Sequence, residues 1–175
     1  MTARQRDECL DKESELRKTV IGVIGAGQAT PAGYEMAMEV GREIARRGLV
    51  LVCGGLGGVM EGASRGCAEA GGEVLGLLPG ADAATANSYV TLAVPTNIGH
   101  ARNIIIAHTA QVLIAIEGEY GTLSELAIAL KLGKPVLALS GWREIPGVTP
   151  VDSPAEAVSL ACQLLGRVCQ GDNVI

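Results

Sequence analysis

Arg102, in "GHARNIII", and Glu125, in "AIEGEYGTLSEL", are the side chains of this sequence with most to offer a ligand. Arg102 comes early on a helix that follows a strand, where a guanidinium suits a phosphate or carboxylate. Glu125 follows a glycine loop at a helix start, where a carboxylate suits acid–base work or the stabilisation of a developing cation. Each has a plainer reading. Taken by itself, Arg102 reads more readily as an exposed arginine. Thr122-Leu123-Ser124-Glu125 spells a T-x-x-E capping box, in which Glu125 bonds the Thr122 backbone N–H. By sequence logic alone the cap is the stronger reading.

Three glycine loops supply backbone rather than side chains. "GAGQAT" (25–30) begins like a dinucleotide fingerprint through Gly25 and Gly27, but Thr30 stands where a third glycine would be. No acidic residue closes the next strand, so the carboxylate that would hold a ribose hydroxyl is missing and NAD binding loses support. "GGLGGVMEG" (54–62) lacks the Lys-Ser/Thr pair of a nucleoside-triphosphate loop. It still offers Gly54, Gly55, Gly57, Gly58 and Met60 beside a helix start, and the third loop offers Gly118, Tyr120, Gly121 and Thr122. Two loops with backbone N–H groups at positive helix ends are suited to converge on one anion. The alternative is that the glycines serve only tight turns and close packing. His100 reads as a local hydrogen-bonder or a catalyst, and His108 as a residue packed on the next strand.

The elements that must position these groups alternate. Aliphatic runs at 20–25, 49–53, 73–79, 88–95, 111–116 and 135–139 read as strands. Segments 31–48, 57–72, 99–110, 122–133 and 153–168 read as helices, with Ser153 an N-cap before Pro154. Several strands lack polar alternation, as expected when both faces are covered. The order predicts an α/β fold: a Rossmann-like doubly wound, mostly parallel sheet with helices on both faces. Ligands then bind beyond the carboxyl ends of the strands, where the glycine loops lie. Segments 80–88 and 140–152 read as loops.

With 175 residues the chain is about one domain's worth. Residues 1–18 read as a polar arm and 19–170 as a single nucleotide-binding domain. The net charge is −5 and the cations are scattered, which argues against a nucleic-acid partner. No apolar run suits a membrane span. Five cysteines without a CxxC pair argue against a zinc site or disulfide framework. Small buried thiols in a reducing cytoplasm are the expectation. The chain has no Phe and one Trp, so its core must be aliphatic.

Taken together, "GHARN", "EGEYGTLSEL" and "GGLGGVMEG" resemble the LOG (Lonely Guy) family, once widely mislabelled lysine decarboxylases. The family signature is P-G-G-x-G-T-x-x-E, preceded by an R-K pair and an earlier G-G-x-x-G-x-M-G loop. The resemblance covers about residues 20–140. It implies a nucleoside 5′-monophosphate phosphoribohydrolase, which cuts the N-glycosidic bond to give base and ribose 5-phosphate. It assigns Arg102 and Glu125 as catalytic and Gly118, Gly121 and Thr122 to the signature loop. It requires no metal or organic cofactor, and it implies a homodimer or homotetramer acting on a small phosphorylated ligand. A prokaryotic branch is also similar to the molybdenum cofactor carrier of green algae, a non-enzymatic binder. That implies the alternative of a non-catalytic carrier or sensor. The decarboxylase label fails on chemistry, because a pyridoxal enzyme needs a Schiff-base lysine. Lys12 and Lys18 lie in the arm, while Lys131 and Lys134 close a helix.

Asn103 replaces the family's lysine, Glu117 its proline and Glu119 its second glycine. A helix N-terminus favours an anion by roughly 0.3–1 kcal/mol. A carboxylate about 5 Å from a phosphate repels it by roughly 3 kcal/mol at an effective dielectric near 20. If phosphate binds here, both glutamates must point away, pair with a cation or share a metal. Glu119 would also be strained if the family glycine there has positive φ. Three outcomes stand: the acids face solvent or a partner subunit, they bind sugar hydroxyls or a base edge, or the loop holds no phosphate.

Overall fold

Aliphatic runs covered on both faces do form the central strands, while the two edge strands are largely exposed. The computed structural model describes residues 18–166, so all of the predicted arm except Lys18 lies outside the described residues. The strands are β1 (Val20–Gly25), β2 (Val50–Cys53), β3 (Glu73–Leu78), β4 (Leu92–Pro95), β5 (Val112–Ile116), β6 (Val136–Ser140) and β7 (Val148–Pro150). They make one seven-stranded sheet in the order β4-β3-β2-β1-β5-β6-β7. Every pairing is parallel. The α/β doubly wound, Rossmann-like expectation holds.

Five helices cover the sheet: α1 (Pro31–Arg46), α2 (Val59–Glu69), α3 (Arg102–Thr109), α4 (Tyr120–Lys131) and α5 (Pro154–Leu164). Helices α1, α2 and α5 pack on one face through Ala37, Val40, Ile44, Ala63, Cys67 and Val158, against Ile21, Val23, Leu51 and Ile114. Helices α3 and α4 cover the other face through Ile106, Ala107, Leu126 and Ala129, against Ile24, Val52, Leu113 and Ala115. The chain changes face between β1 and β5, which are neighbours. Such a switch point opens a crevice at the carboxyl ends of the strands.

Small residues set the spacing of α1 and α2. A Cβ on Gly41 would lie 2.0 Å from the Ala63 carbonyl oxygen, and one on Gly66 1.8 Å from that of Met38. This close approach explains a glycine-rich helix that intrinsic propensity disfavours. Thr30 caps α1, its Oγ1 accepting from the Gly33 N–H at 3.0 Å. Ser153 caps α5 in the same way, accepting from Glu156 N–H at 3.2 Å.

The structure corrects several readings. Strand β7 lies inside the segment read as loop 140–152, because its three residues are too few to show a period. The run read as a strand from 88 joins the ladder with β3 only at Leu92, because the residues before it are held in a turn in which Tyr89 N–H donates to Asn87 Oδ1 and Val90 N–H to the Asn87 carbonyl. Helix α4 begins at Tyr120, two residues before Thr122, with Glu119 at its N-cap. Thr122 is therefore inside the helix and the T-x-x-E box does not form. His108 is exposed rather than packed on the following strand. Its carbonyl oxygen and that of Ala110 accept from Lys134 Nζ. Cys53 and Cys67 are free and buried. Cys162 is buried too.

Candidate functional site

A cleft of about 480 Å³ opens beyond the carboxyl end of β1, at the switch point beside β5. Its volume lies within the usual range for small-molecule sites. One wall is the end of β1 and the loop after it, including Gly25, Gly27 and Gln28. Gly54 and Met60 come from the second glycine loop and α2. His100, Arg102 and Asn103 come from the α3 start, and Glu119, Gly121, Thr122 and Glu125 from the α4 start.

The cleft therefore brings together Arg102, Glu125, Gly25, Gly27, Gly54, Met60, Gly121 and Thr122 from the sequence-derived set. The remaining members stand back from it. Gly55 is buried with φ +71 and packs beside Leu78 and Gly76. At Gly58, the N-cap of α2, a Cβ would strike the Ala26 carbonyl oxygen at 2.2 Å. Gly57 lies in the turn between them. Gly118 has φ +111 and leaves room for the Thr122 side chain, which a Cβ would overlap at 2.2 Å. Tyr120 is 86% exposed and points out of the cleft. These residues shape the loops rather than line the cleft.

Arg102 and Glu125 meet at the floor. Arg102 Nη1 donates to Glu125 Oε1 at 3.2 Å. The residues are 8% and 6% exposed. Burial pushes the Glu125 carboxyl up to about 7, against the opposing pull of the Arg102 charge and hydrogen bond. Glu125 thus changes protonation near neutral pH, where a general acid or base is most useful. The guanidinium lies over Gly54, where a Cβ would be 2.2 Å from Nη2. Its Nε is buried without a hydrogen-bond partner.

Asn103 is the residue that the sequence reading treated only as a departure. It is buried, and its Oδ1 accepts from Arg102 Nη1 at 2.7 Å. Its Nδ2 donates to Ser124 Oγ at 2.9 Å and to the Gly121 carbonyl at 3.3 Å. One amide therefore fixes the arginine and ties the α3 start to the first turn of α4. Its adjacency to Arg102 was the only available signal. Gln28, His100 and Glu119 also reach the cleft.

The two acids flanking Gly118 part company. Glu117 turns towards the start of α1. Its Oε2 accepts from the Thr30 backbone N–H at 3.0 Å, and its Oε1 accepts from the Thr30 hydroxyl. Its backbone N–H donates to the Ser140 carbonyl at 2.9 Å. Its own carbonyl accepts from Trp142 Nε1 at 2.6 Å. Glu119 is exposed at the cleft mouth and makes no side-chain cap on α4. Strain was expected at 119, yet Glu119 has φ −129, ordinary extended backbone. The left-handed residue is Glu117, at φ 53. As at any helix start, the first N–H groups of α4 have no carbonyl partner within the helix.

Other chemistry loses ground. The Cys53 thiol is fully buried, and burial raises its pKa, so it is no ready nucleophile. No lysine among the described residues lines the cleft. Among the described residues, no helix is long and apolar enough to cross a membrane.

Comparison with known proteins agrees with this architecture. The molybdenum cofactor binding protein of Rippkaea orientalis is 36% identical, with a TM-score of 0.81, over 86% of this chain and 99% of that one. The molybdenum cofactor carrier protein of Chlamydomonas reinhardtii is 37% identical, with a TM-score of 0.78 and the same coverage. An uncharacterised protein of Archaeoglobus fulgidus is 45% identical over 79% of this chain and 91% of its own length. A probable cytokinin riboside 5′-monophosphate phosphoribohydrolase of Oryza sativa is 33% identical over 58% of this chain, and the match spans only 43% of the rice protein. The SLOG cluster4 family profile matches residues 18–162. The chain is a LOG-like α/β protein and belongs to the SLOG cluster4 family.

Proposed function

We propose that the cleft binds a small molecule carrying a phosphate and a heterocyclic ring. We propose further that Arg102 and Glu125 hydrolyse its N-glycosidic bond when that ligand is a nucleoside 5′-monophosphate. The observation that carries this reading is the buried Arg102–Glu125 pair, with Glu125 titrating near neutral pH beside the open start of α4. The phosphate lies on the N–H groups of Gly121 and Thr122 at the positive end of α4. Arg102 orients the ligand. As the C1′–N bond breaks, its electron pair leaves with the base and positive charge develops on the ribose. Ionised Glu125 stabilises that charge and takes a proton from the water whose oxygen bonds to C1′, the role of carboxylates in glycoside cleavage. The proton taken up by Glu125 passes to the departing base, so the products are neutral free base and ribose 5-phosphate.

A second reading, a non-catalytic carrier, is favoured by a separate observation. The two molybdenum cofactor proteins match over 99% of their lengths, whereas the hydrolase match covers under half of the rice protein. Asn103 also locks Arg102 in place where the LOG signature has a lysine.

Incubating the purified protein with AMP and other nucleoside monophosphates separates the two readings. Base release, seen by chromatography and lost in Glu125→Gln and Arg102→Ala, supports hydrolysis. No release, with ligand-induced thermal stabilisation, supports the carrier. Neither effect would count against both.

A further inference from the structure

The carboxylate of Glu117 sits at the start of α1, where the first strand–loop–helix turn of a Rossmann-type sheet presents backbone N–H groups to an anion. Thr30 meets it with both its N–H and its hydroxyl. The position is built for this group. A Cβ on Gly33 would fall 2.4 Å from Glu117 Cδ, so the glycine makes room for the carboxylate. The backbone of Glu117 is fixed at both ends, by Ser140 and by Trp142. The same loop, Gly25–Thr30, lines the cleft through Gly27 and Gln28. The wall formed by Gly27 and Gln28 stops two residues short of Thr30, whose N–H and hydroxyl already hold an anion from within the chain.

We infer that Glu117 is a specificity-determining residue, whose carboxylate stands in for a second phosphate and restricts the ligand to a single phosphate group. This rests on the reading of the cleft as a phosphate site at the start of α4. A diphosphate reaching towards α1 meets negative charge and finds the Thr30 N–H already engaged. A monophosphate held on α4 does not compete for that position. The two charges of "EGEYG" are thereby kept apart. Glu117 directs its charge into α1, and the loop keeps the α4 start open.

The test is a titration of wild type, Glu117→Ala and Glu117→Gln with AMP and ADP by calorimetry. Wild type prefers AMP to ADP by roughly tenfold or more, the size expected for one like-charge contact near a protein surface. In Glu117→Ala the ADP-to-AMP affinity ratio rises by about tenfold, because the α1 position is vacated. Glu117→Gln keeps the volume and drops the charge, so it raises the ratio by a smaller factor. It also decides the matter if the alanine variant unfolds. Wild type binding ADP as tightly as AMP, or an unchanged ratio in the folded variants, overturns the inference while leaving the phosphate site intact. Failure of every protein to bind either nucleotide removes the phosphate reading and this inference together.

Discussion

Arg102 Nη1 lies 3.2 Å from Glu125 Oε1, and both side chains, largely buried, form part of the floor of the cleft beyond the carboxyl end of β1. Burial works against the charge on Glu125 more strongly than Arg102 works for it, and the carboxyl is raised to about 7. A buried pair of this kind is weak evidence of stability and better evidence of a working site.

The first prediction is a stability slope. The folded-state pKa of Glu125 lies above its ordinary value, so the folded protein binds more protons than the unfolded chain across the interval. Its contribution is complete below about 4.5 and declines as pH rises through about 7, by a total on the order of 3 kcal/mol. Denaturant melts of wild type and Glu125→Gln between those pH values isolate it. Their difference should follow this direction, and a flat difference would remove Glu125 as the cause. If base release occurs, it should rise with pH through the same region, because the ionised form acts as base.

Arg102→Ala should destabilise the fold by roughly 2–4 kcal/mol, less at acid pH where Glu125 is neutral. It strips Glu125 of the one group that lowers its pKa, so the carboxyl should titrate higher still. Carbon-detected NMR of the Glu125 carboxyl checks the direction.

Gly54→Ala should disable the site out of proportion to its size. The added methyl would lie 2.2 Å from Arg102 Nη2 and 2.7 Å from Met60 Sδ. Overpacking of this order costs about 1–3 kcal/mol. The guanidinium must move, so ligand-induced thermal stabilisation should be lost while the protein still folds. Retained ligand response would show that Arg102 is not needed where it lies.

Glu117→Pro, which restores the residue of the LOG signature, should destabilise by roughly 3 kcal/mol or more. Proline cannot take φ 53, and it removes the N–H that bonds Ser140. Equilibrium unfolding against Glu117→Gly provides the comparison, since glycine tolerates that backbone and loses only the carboxylate contacts. Equal stability of the two would mean that the loop rearranges freely.

Asn103→Leu should cost about 1–3 kcal/mol, because it leaves the Gly121–Ser124 turn and Arg102 without their shared amide. Hydrogen exchange at the start of α4 should quicken as that turn loosens.

Aliphatic runs such as Val112–Ile116, buried throughout, announced a sheet covered on both faces, and the glycines after them announced the edge on which the cleft opens. Local chemistry sufficed for that, because strand and helix periods and caps such as Ser153 are written within a few residues of one another. It also placed Arg102 and Glu125 on the two helix starts that meet. The start of α4 was not decidable locally: Thr122 and Glu125 satisfy a capping pattern, and only the burial of Glu125 against Arg102 shows that the carboxylate is spent across the fold. Asn103 was illegible for the same reason, since its partners Gly121 and Ser124 lie on another helix. Glu117 and Glu119 look alike in sequence, flanking one glycine. The tertiary structure sends one into α1 and leaves the other at the cleft mouth, because the left-handed backbone at Glu117 is held by Ser140 and Trp142, contacts that exist only once β5, β6 and α1 are assembled.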